Sequence, residues 1–458
     1  MTEADLRKLL AVGFDGIEAW ERGFRPFAAH PSLAVPVERA LAAIDELVHR
    51  LHDNYPFFHP DYAGQMLRPP HPVALAAYAV AARINPNNHA LDGGPATAAL
   101  ERECIDQLAA MFGFAHPYLG HLTTSGTIAN LEALWVASQL HPGKAVAFSA
   151  EAHYTHARMC ELLKVQPMVV PADGRGAIDC TALAALDAKT VGTVVVTAGT
   201  TATGAVDAID RVLTLAETRG WRVHVDAAYG GFFSLLADQP AAQLDSAAWR
   251  AIARCDSVVV DPHKHGLQPY GCGAVIFADP AVGALYRHES PYTYFTSKDL
   301  HLGEISLECS RAGAAAAALW TTLRVFPLSA TGLGRSLLAS RRAALAAYEA
   351  ATRSAALAPV LRPELDIVAL APVKKGERVK ATRVSARSEA IFSRCERGAQ
   401  PLFLAKWRLP KPLGERIGLP VDWDADHCTV LRSVMMKPEH EEYAPAIIRR
   451  IDAAAAGL

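Results

Sequence analysis

The chain has 458 residues, 51% of them hydrophobic and 20% charged, a globular balance that excludes a disordered or fibrous protein. The 45 Lys and Arg residues against 47 Asp and Glu leave a formal net charge of −2, so no basic excess points to a nucleic-acid partner or an anionic membrane surface. At ~150 residues per domain the length allows two or three domains around large buried cores.

The opening MTEADLRKLL places charges where a secretory leader needs an apolar core. No run of ~20 apolar residues follows, so neither a leader nor a membrane-spanning helix is expected, and the expected location is cytoplasmic. The eight cysteines, at 104, 160, 180, 255, 272, 309, 395 and 428, form no CxxC pair. They read as reduced thiols, and no metal site is expected.

Residues 1–60 read as a helical arm ending in the Pro/aromatic stretch YPFFHPDY, suited to lying over another surface. Helical apolar spacing follows at 76–84 and 98–112. From about residue 120 the pattern changes to short β-branched runs at 146–149, 168–170, 193–198, 222–228, 257–261 and 274–278, separated by helical segments. Continuous apolar runs between helices predict an α/β fold with a mainly parallel sheet covered on both faces. After a helix near Ala314–Phe326 and the turn TGLGRS, the spacing predicts a long helix. A smaller α+β region follows, with strands near DIVALAP and HCTVLRSVM. The expected units are an arm at 1–60, a large domain at 61–330 and a small C-terminal domain at 331–458.

Three segments carry chemistry. In His121-Leu-Thr-Thr-Ser-Gly-Thr-Ile-Ala-Asn130 a turn of small residues opens into a helix. Such a start presents free N–H groups and the positive dipole end to an anion, most naturally a phosphate, with Ser125, Gly126 and Thr127 as donors. Alone, this is also the pattern of an ordinary helix cap. In Val223-His-Val-Asp226-Ala-Ala-Tyr-Gly-Gly a carboxylate ends an apolar strand, where open α/β sheets place ligands. In Asp261-Pro-His-Lys264-His-Gly a lysine follows a strand end and is flanked by histidines. A desolvated lysine amine is a nucleophile toward aldehydes. An anion cradle, a carboxylate and a lysine, in that order, are what pyridoxal 5'-phosphate requires for its phosphate, its pyridine nitrogen and its aldehyde. Asp226 and Lys264 are 38 positions apart, which leaves room for one helix and one strand, the separation of neighbouring parallel strand ends.

From about His59 to Pro438 the sequence resembles the group II pyridoxal-phosphate-dependent amino-acid decarboxylases. The most specific elements are HVDAAYGG and DPHKHG, whose DPHK matches the family's Asn/Asp-Pro-His-Lys. TSGTIAN resembles its phosphate turn, with Ser125 where glycine is usual, and Glu151-Ala-His153-Tyr-Thr resembles its His-Tyr-Ser. The resemblance implies the aspartate-aminotransferase-like fold type I, with a mainly parallel, seven-stranded type of sheet. It also implies decarboxylation of an L-amino acid to the amine and CO2. Carried over, Lys264 bears the cofactor, Asp226 holds the pyridine nitrogen and His153 stacks on the ring. Thr200, in AGTTATGAVD, lies toward the phenolic oxygen, and Ala228 and His263 complete the cofactor contacts.

On the substrate side the resemblance places Gln65, in HPDYAGQM, and Arg432, in Leu431-Arg432, against carboxylates. Tyr292, ahead of Tyr294, becomes the proton donor on a loop after the lysine. A homodimer with the site at the subunit interface is implied. Gln65 and Glu308-Cys-Ser-Arg311 tilt toward acidic or sulfinate substrates, while aromatic substrates remain open because tyrosine-type members share DPHK. An aminotransferase or a carbon–carbon lyase would use the same cofactor residues. A non-catalytic regulator would need a DNA-binding module, and residues 1–60 show no such pattern.

Overall fold

The computed structural model describes residues 1–89, 93–286 and 305–458. Its main sheet has seven strands: β1 (Leu119–Thr123), β2 (Ala145–Ser149), β3 (Pro167–Val170), β4 (Val191–Thr197), β5 (Arg222–Asp226), β6 (Ser257–Val260) and β7 (Gly273–Phe277). Their order is β1-β7-β6-β5-β4-β2-β3. Every neighbouring pair from β6 to β3 is parallel, and β7 runs antiparallel to both β6 and β1. The six expected apolar runs are all strands. β1 was not among them, because LGHLT carries a glycine and a histidine where an apolar run would stand.

Alternation along the strands explains why both faces are covered. Val194 and Val196 of β4 and Val258 and Val260 of β6 pack into one core with Phe232 and Phe233. The residues between them turn the other way. Val195 joins Phe148 and Leu134, and Val259 joins Val275 and Phe277. Each such side chain contributes ~1.5–3 kcal/mol on burial, so a one-residue slip of any inner strand would exchange both cores at once.

The remaining strands are β8 (Ala358–Pro359), β9 (Ile367–Ala371), β10 (Val379–Lys380), β11 (Ala405–Pro410), β12 (Val421–Asp422) and β13 (His427–Val434). Four of them form an antiparallel sheet in the order β11-β13-β9-β8. Helices Gly334–Thr352 and His440–Ala454 cover it, burying Ala343, Ala347, Ile447 and Ile451 against Leu370 and Leu431.

At the N-terminus, α1 (Glu3–Glu21) lies along α3 (Pro72–Ile84), tied by Arg83 to Glu21 at 2.6 Å. Between them α2 (Val37–Leu51) presents Val37, Leu41, Ile44, Val48 and Leu51, all exposed, as one stripe at three- and four-residue spacing. No residue before Tyr62 is buried. Two more helices frame the site: α4 (Pro95–Phe112) behind β1, and α5 (Gly126–Leu140), which leaves the end of β1. A sixth, α6 (Thr155–Leu163), follows β2.

Candidate active site

The carboxyl ends of the parallel strands open onto a cavity of about 280 Å³. Thr197 and Asp226, the last residues of β4 and β5, are register partners and both line it. The N-terminus of α5 closes one side through Ser125, Gly126 and Thr127, and Lys264 enters four residues beyond β6. The three segments of the sequence therefore converge on one space, at the position where open α/β sheets hold ligands.

Ser125 caps α5. Its backbone is extended, and its hydroxyl accepts from the N–H of Ile128 at 3.3 Å. Gly126 is required by a close approach, since a Cβ there would stand 2.6 Å from Asp261 Oδ2. That carboxylate lies 2.9 Å from Lys264 Nζ, so the tight packing of α5 on Asp261 also aims the lysine.

Asp226 is buried. Its Oδ2 accepts from His156 Nε2 at 2.9 Å and its Oδ1 from the backbone N–H of Ala228 at 3.1 Å. Burial pushes the carboxyl up, but the hydrogen bond and charge of His156, with Lys264 and the Ala228 N–H, outweigh it. The net result is a carboxyl held well below the usual range. Asp226 is thus an anion at the cavity wall, ready to face a positive group.

His153 lines the cavity with its Nδ1 2.8 Å from Thr155 Oγ1, and burial lowers its pKa. His263 also lines it. Its Nδ1 donates to the Cys272 carbonyl at 2.7 Å, and burial lowers its pKa as well. Ala228 lines the cavity beside Asp226.

Other expected positions sit differently. Thr200 is fully buried behind the wall, with its hydroxyl 3.1 Å from Thr203 Oγ1 and accepting from Ala205 N–H at 3.1 Å, while its neighbour Thr201 lines the cavity. Gln65 is exposed and does not line it. Arg432 is buried and donates to the carbonyls of Ala202 at 3.0 Å and Thr201 at 2.5 Å, so it braces the loop that carries Thr201. Tyr292 and Tyr294 lie outside the described residues. Among the described residues no group of His, Cys, Asp and Glu could hold a metal ion.

The sequence reading missed His156, Thr197 and the role of Asp261 as the lysine's partner. His156 stands three residues past His153, one turn along the start of α6, and that spacing was its only signal. A second relay was also missed: His224 bonds Ser257 Oγ at 2.8 Å and Asn130 Oδ1 at 2.9 Å, and Asn130 donates to the Gly126 carbonyl at 2.8 Å. It fastens the Asp226 strand to the start of α5.

The residues fit pyridoxal phosphate. Among the described residues, Thr197 Oγ1 and Asp261 Oδ1 are buried in the cavity wall without a hydrogen-bond partner, an expensive state unless a ligand completes them. The donor set has a helix N-terminus at one end, an anionic carboxylate at the wall and a lysine amine, which matches the cofactor's phosphate, pyridinium and aldehyde.

A family model described as the pyridoxal-dependent decarboxylase conserved domain matches residues 56–334, more than half of the chain. An L-tyrosine decarboxylase of Enterococcus faecium is 28% identical over 419 residues, 69% of this chain and 68% of its own length. A probable L-aspartate decarboxylase of Halobacterium salinarum is 30% identical over 308 residues, covering 67% of this chain and 81% of the relative. Among solved structures, mouse CSAD superposes with a TM-score of 0.77 at 20% identity, over 100% of this chain and 93% of that one. Catharanthus roseus tryptophan decarboxylase in complex with L-tryptophan gives 0.75 at 16% identity, over 99% of both chains. The fold is therefore type I, the cofactor is pyridoxal 5'-phosphate and the reaction is amino-acid decarboxylation. The chain belongs to the pyridoxal-dependent decarboxylase family.

Proposed function

We propose that decarboxylation takes place at Lys264, with Asp226, His153 and the start of α5 as the residues that hold the cofactor. The observation that carries this reading is the meeting of Lys264, Asp226 and Ser125–Thr127 on one cavity at the strand ends. When bound, pyridoxal phosphate supplies a protonated ring that accepts the electron pair left on Cα as CO2 departs. The chain's own residues orient and tune that event. Asp226 keeps a negative charge against the ring nitrogen, which favours the protonated ring. His153 supplies a flat face at the cavity wall, and Ser125, Gly126 and Thr127 take the phosphate. Tyr292 is the proposed donor of the proton to Cα.

The proposed substrate is an L-amino acid of the kind named for the relatives, tyrosine or aspartate. Gln65 and Arg432 stay as proposed substrate-binding residues, Arg432 acting through the Thr201 loop that it braces. The proposed assembly is a homodimer. Its support is the uncovered stripe of α2, which a second copy would bury. Residues 1–60, 61–330 and 331–458 are proposed as arm, large and small units. No helix among the described residues is long and apolar enough to cross a membrane. A cytoplasmic site of action is part of the proposal.

The test is a screen of common L-amino acids for CO2 and amine, beginning with L-tyrosine and L-aspartate, together with borohydride reduction and peptide mapping of the loaded enzyme. Label on Lys264 is expected. Label on another lysine would refute the assignment, and keto-acid formation that needs a second amino-group acceptor would point to transamination.

A further inference from the structure

Beside Lys264 lies a polar knot that the chemistry above does not use. Asp366 immediately precedes β9, in the part of the chain that builds the four-stranded sheet, and is fully buried. Its carboxylate reaches across to the large sheet's half of the molecule. It accepts from the Tyr229 hydroxyl at 2.6 Å and from His265 Nε2 at 2.8 Å. Tyr229 lines the cofactor cavity, and His265 is the residue after Lys264.

The His265 ring has no freedom left. Its Nδ1 lies 3.0 Å from the Tyr229 carbonyl, and the rings of Tyr229 and Phe233 stand edge-on to it at 4.7 and 5.1 Å. A carbonyl and a carboxylate thus stand at its two ring nitrogens. The main-chain carbonyl of Asp366 is held in turn by the N–H of Met435, just past β13, at 2.7 Å. A continuous chain of short bonds thus runs from the end of β13 through Asp366 to the peptide that carries the lysine.

Charge makes Asp366 hard to replace. Arg341 and Arg432 are buried, and their hydrogen bonds go to main-chain carbonyls. Neither has a carboxylate within ion-pair distance among the described residues. The charge of Asp366 acts on both, and on Arg68 and His440. A buried carboxylate is retained only where such groups compensate it.

We propose that Asp366 is a positioning residue for the reaction: from the small sheet it locks His265 and Tyr229 and so fixes the direction in which Lys264 enters the cavity. Catalysis is then coupled to the seating of the two sheets on each other. This rests on the reading of Lys264 as the cofactor-bearing residue.

The test compares the loaded wild-type enzyme with Asp366→Asn, His265→Leu and the double variant. Three quantities are read: kcat per cofactor-bearing site, KM, and the rate at which borohydride fixes the cofactor to Lys264. Asp366→Asn preserves shape, but its amide cannot accept from both His265 and Tyr229. The expected result is a kcat about 10²-fold lower in each single variant, because a reacting group displaced by ~1 Å costs about that much. KM should stay within about 3-fold, the pattern of a loss confined to the transition state. Borohydride fixation should change in the same variants. The double variant should be no worse than the worse single one, since both break the same bond.

A purely structural role would lower the folded fraction and leave kcat per site unchanged, and that result overturns the proposal. Strictly additive losses would overturn it too. If Asp366→Asn does not fold, His265→Leu and the partial rescue expected from Asp366→Glu decide the matter by the same readouts. Label on a lysine other than Lys264 in the wild-type enzyme would instead refute the underlying assignment, so the two failures are distinguishable.

Discussion

His156 touches Asp226 from behind the cavity, and its removal isolates what holds that carboxylate in its charged form. Asp226 is 6% exposed and has two hydrogen-bond donors, His156 Nε2 and the Ala228 N–H. His156→Leu deletes the first and leaves a buried carboxylate half satisfied. A hydrogen bond to a charged group contributes about 1.5–3 kcal/mol. At 1.36 kcal/mol per pKa unit, its loss raises the Asp226 carboxyl by about 1–2 units. If the loss is fully expressed in the reaction, kcat/KM falls by about 10- to 150-fold. The sign of the stability effect follows. A carboxyl held below its unfolded value of ~3.9 stabilises the fold above that pH, and this stabilisation is lost as the pH falls toward the native value. Raising the native value shrinks that contribution, so the cofactor-free variant should melt earlier than wild type at neutral pH; the gap should hold down to about pH 4 and narrow only below it, as the pH falls through the native value of the variant and then that of the wild type. The measurements are kcat/KM against pH on the loaded enzyme and thermal melts of the cofactor-free protein from about pH 2 to 7. His156→Gln, which can still donate, should recover part of both. An unchanged kcat/KM and unchanged melts in His156→Leu would refute the reasoning.

Asp226→Asn should keep the fold and bind the cofactor yet lose most activity, because an amide can hydrogen-bond to the ring nitrogen but cannot stabilise its protonated form; near-normal turnover with the cofactor bound would contradict this. Gly126→Ala forces a methyl to within 2.6 Å of the Asp261 carboxylate. It should cost about 1–3 kcal/mol of stability, visible as a lowered unfolding midpoint, and should weaken cofactor binding measured by fluorescence titration. Tyr292→Phe should slow amine formation by ~10²–10⁴-fold and raise the share of aldehyde or keto by-products, with Tyr294→Phe as the control; the reverse pattern would move the proton donor to Tyr294.

The large sheet was legible because its inner strands are buried on both sides. Val194–Val196 and Val258–Val260 have no solvent face, so they must be apolar throughout, and the run survives in the sequence. β1 escaped for the opposite reason. His121 is buried within it and bonds Glu132 at 2.9 Å, an interior polar pair that breaks the apolar pattern. Burial alone would lower the pKa of His121, but the charge and hydrogen bond of Glu132 raise it instead. β11 was hidden too: AKWRLP carries charged residues on an edge strand and reads as a loop.

The site divides along the same line. Groups proposed to meet the cofactor are polar residues in apolar surroundings, so Asp226 after VHV and Lys264 after VVVDPH stand out in one dimension. Groups that act on those groups carry no such mark. His156 lies 70 positions before Asp226, and Asp366 lies 101 positions after His265. Each occupies an ordinary helix or strand start, and only the tertiary fold gives it a partner. Arg432 is the converse case, marked by its residue type. Its residue type suits a carboxylate clamp, yet three main-chain carbonyls, of Gly64, Thr201 and Ala202, lie around its guanidinium. A buried guanidinium with its donors directed at carbonyls organises a loop, here the one that carries Thr201 to the cavity wall.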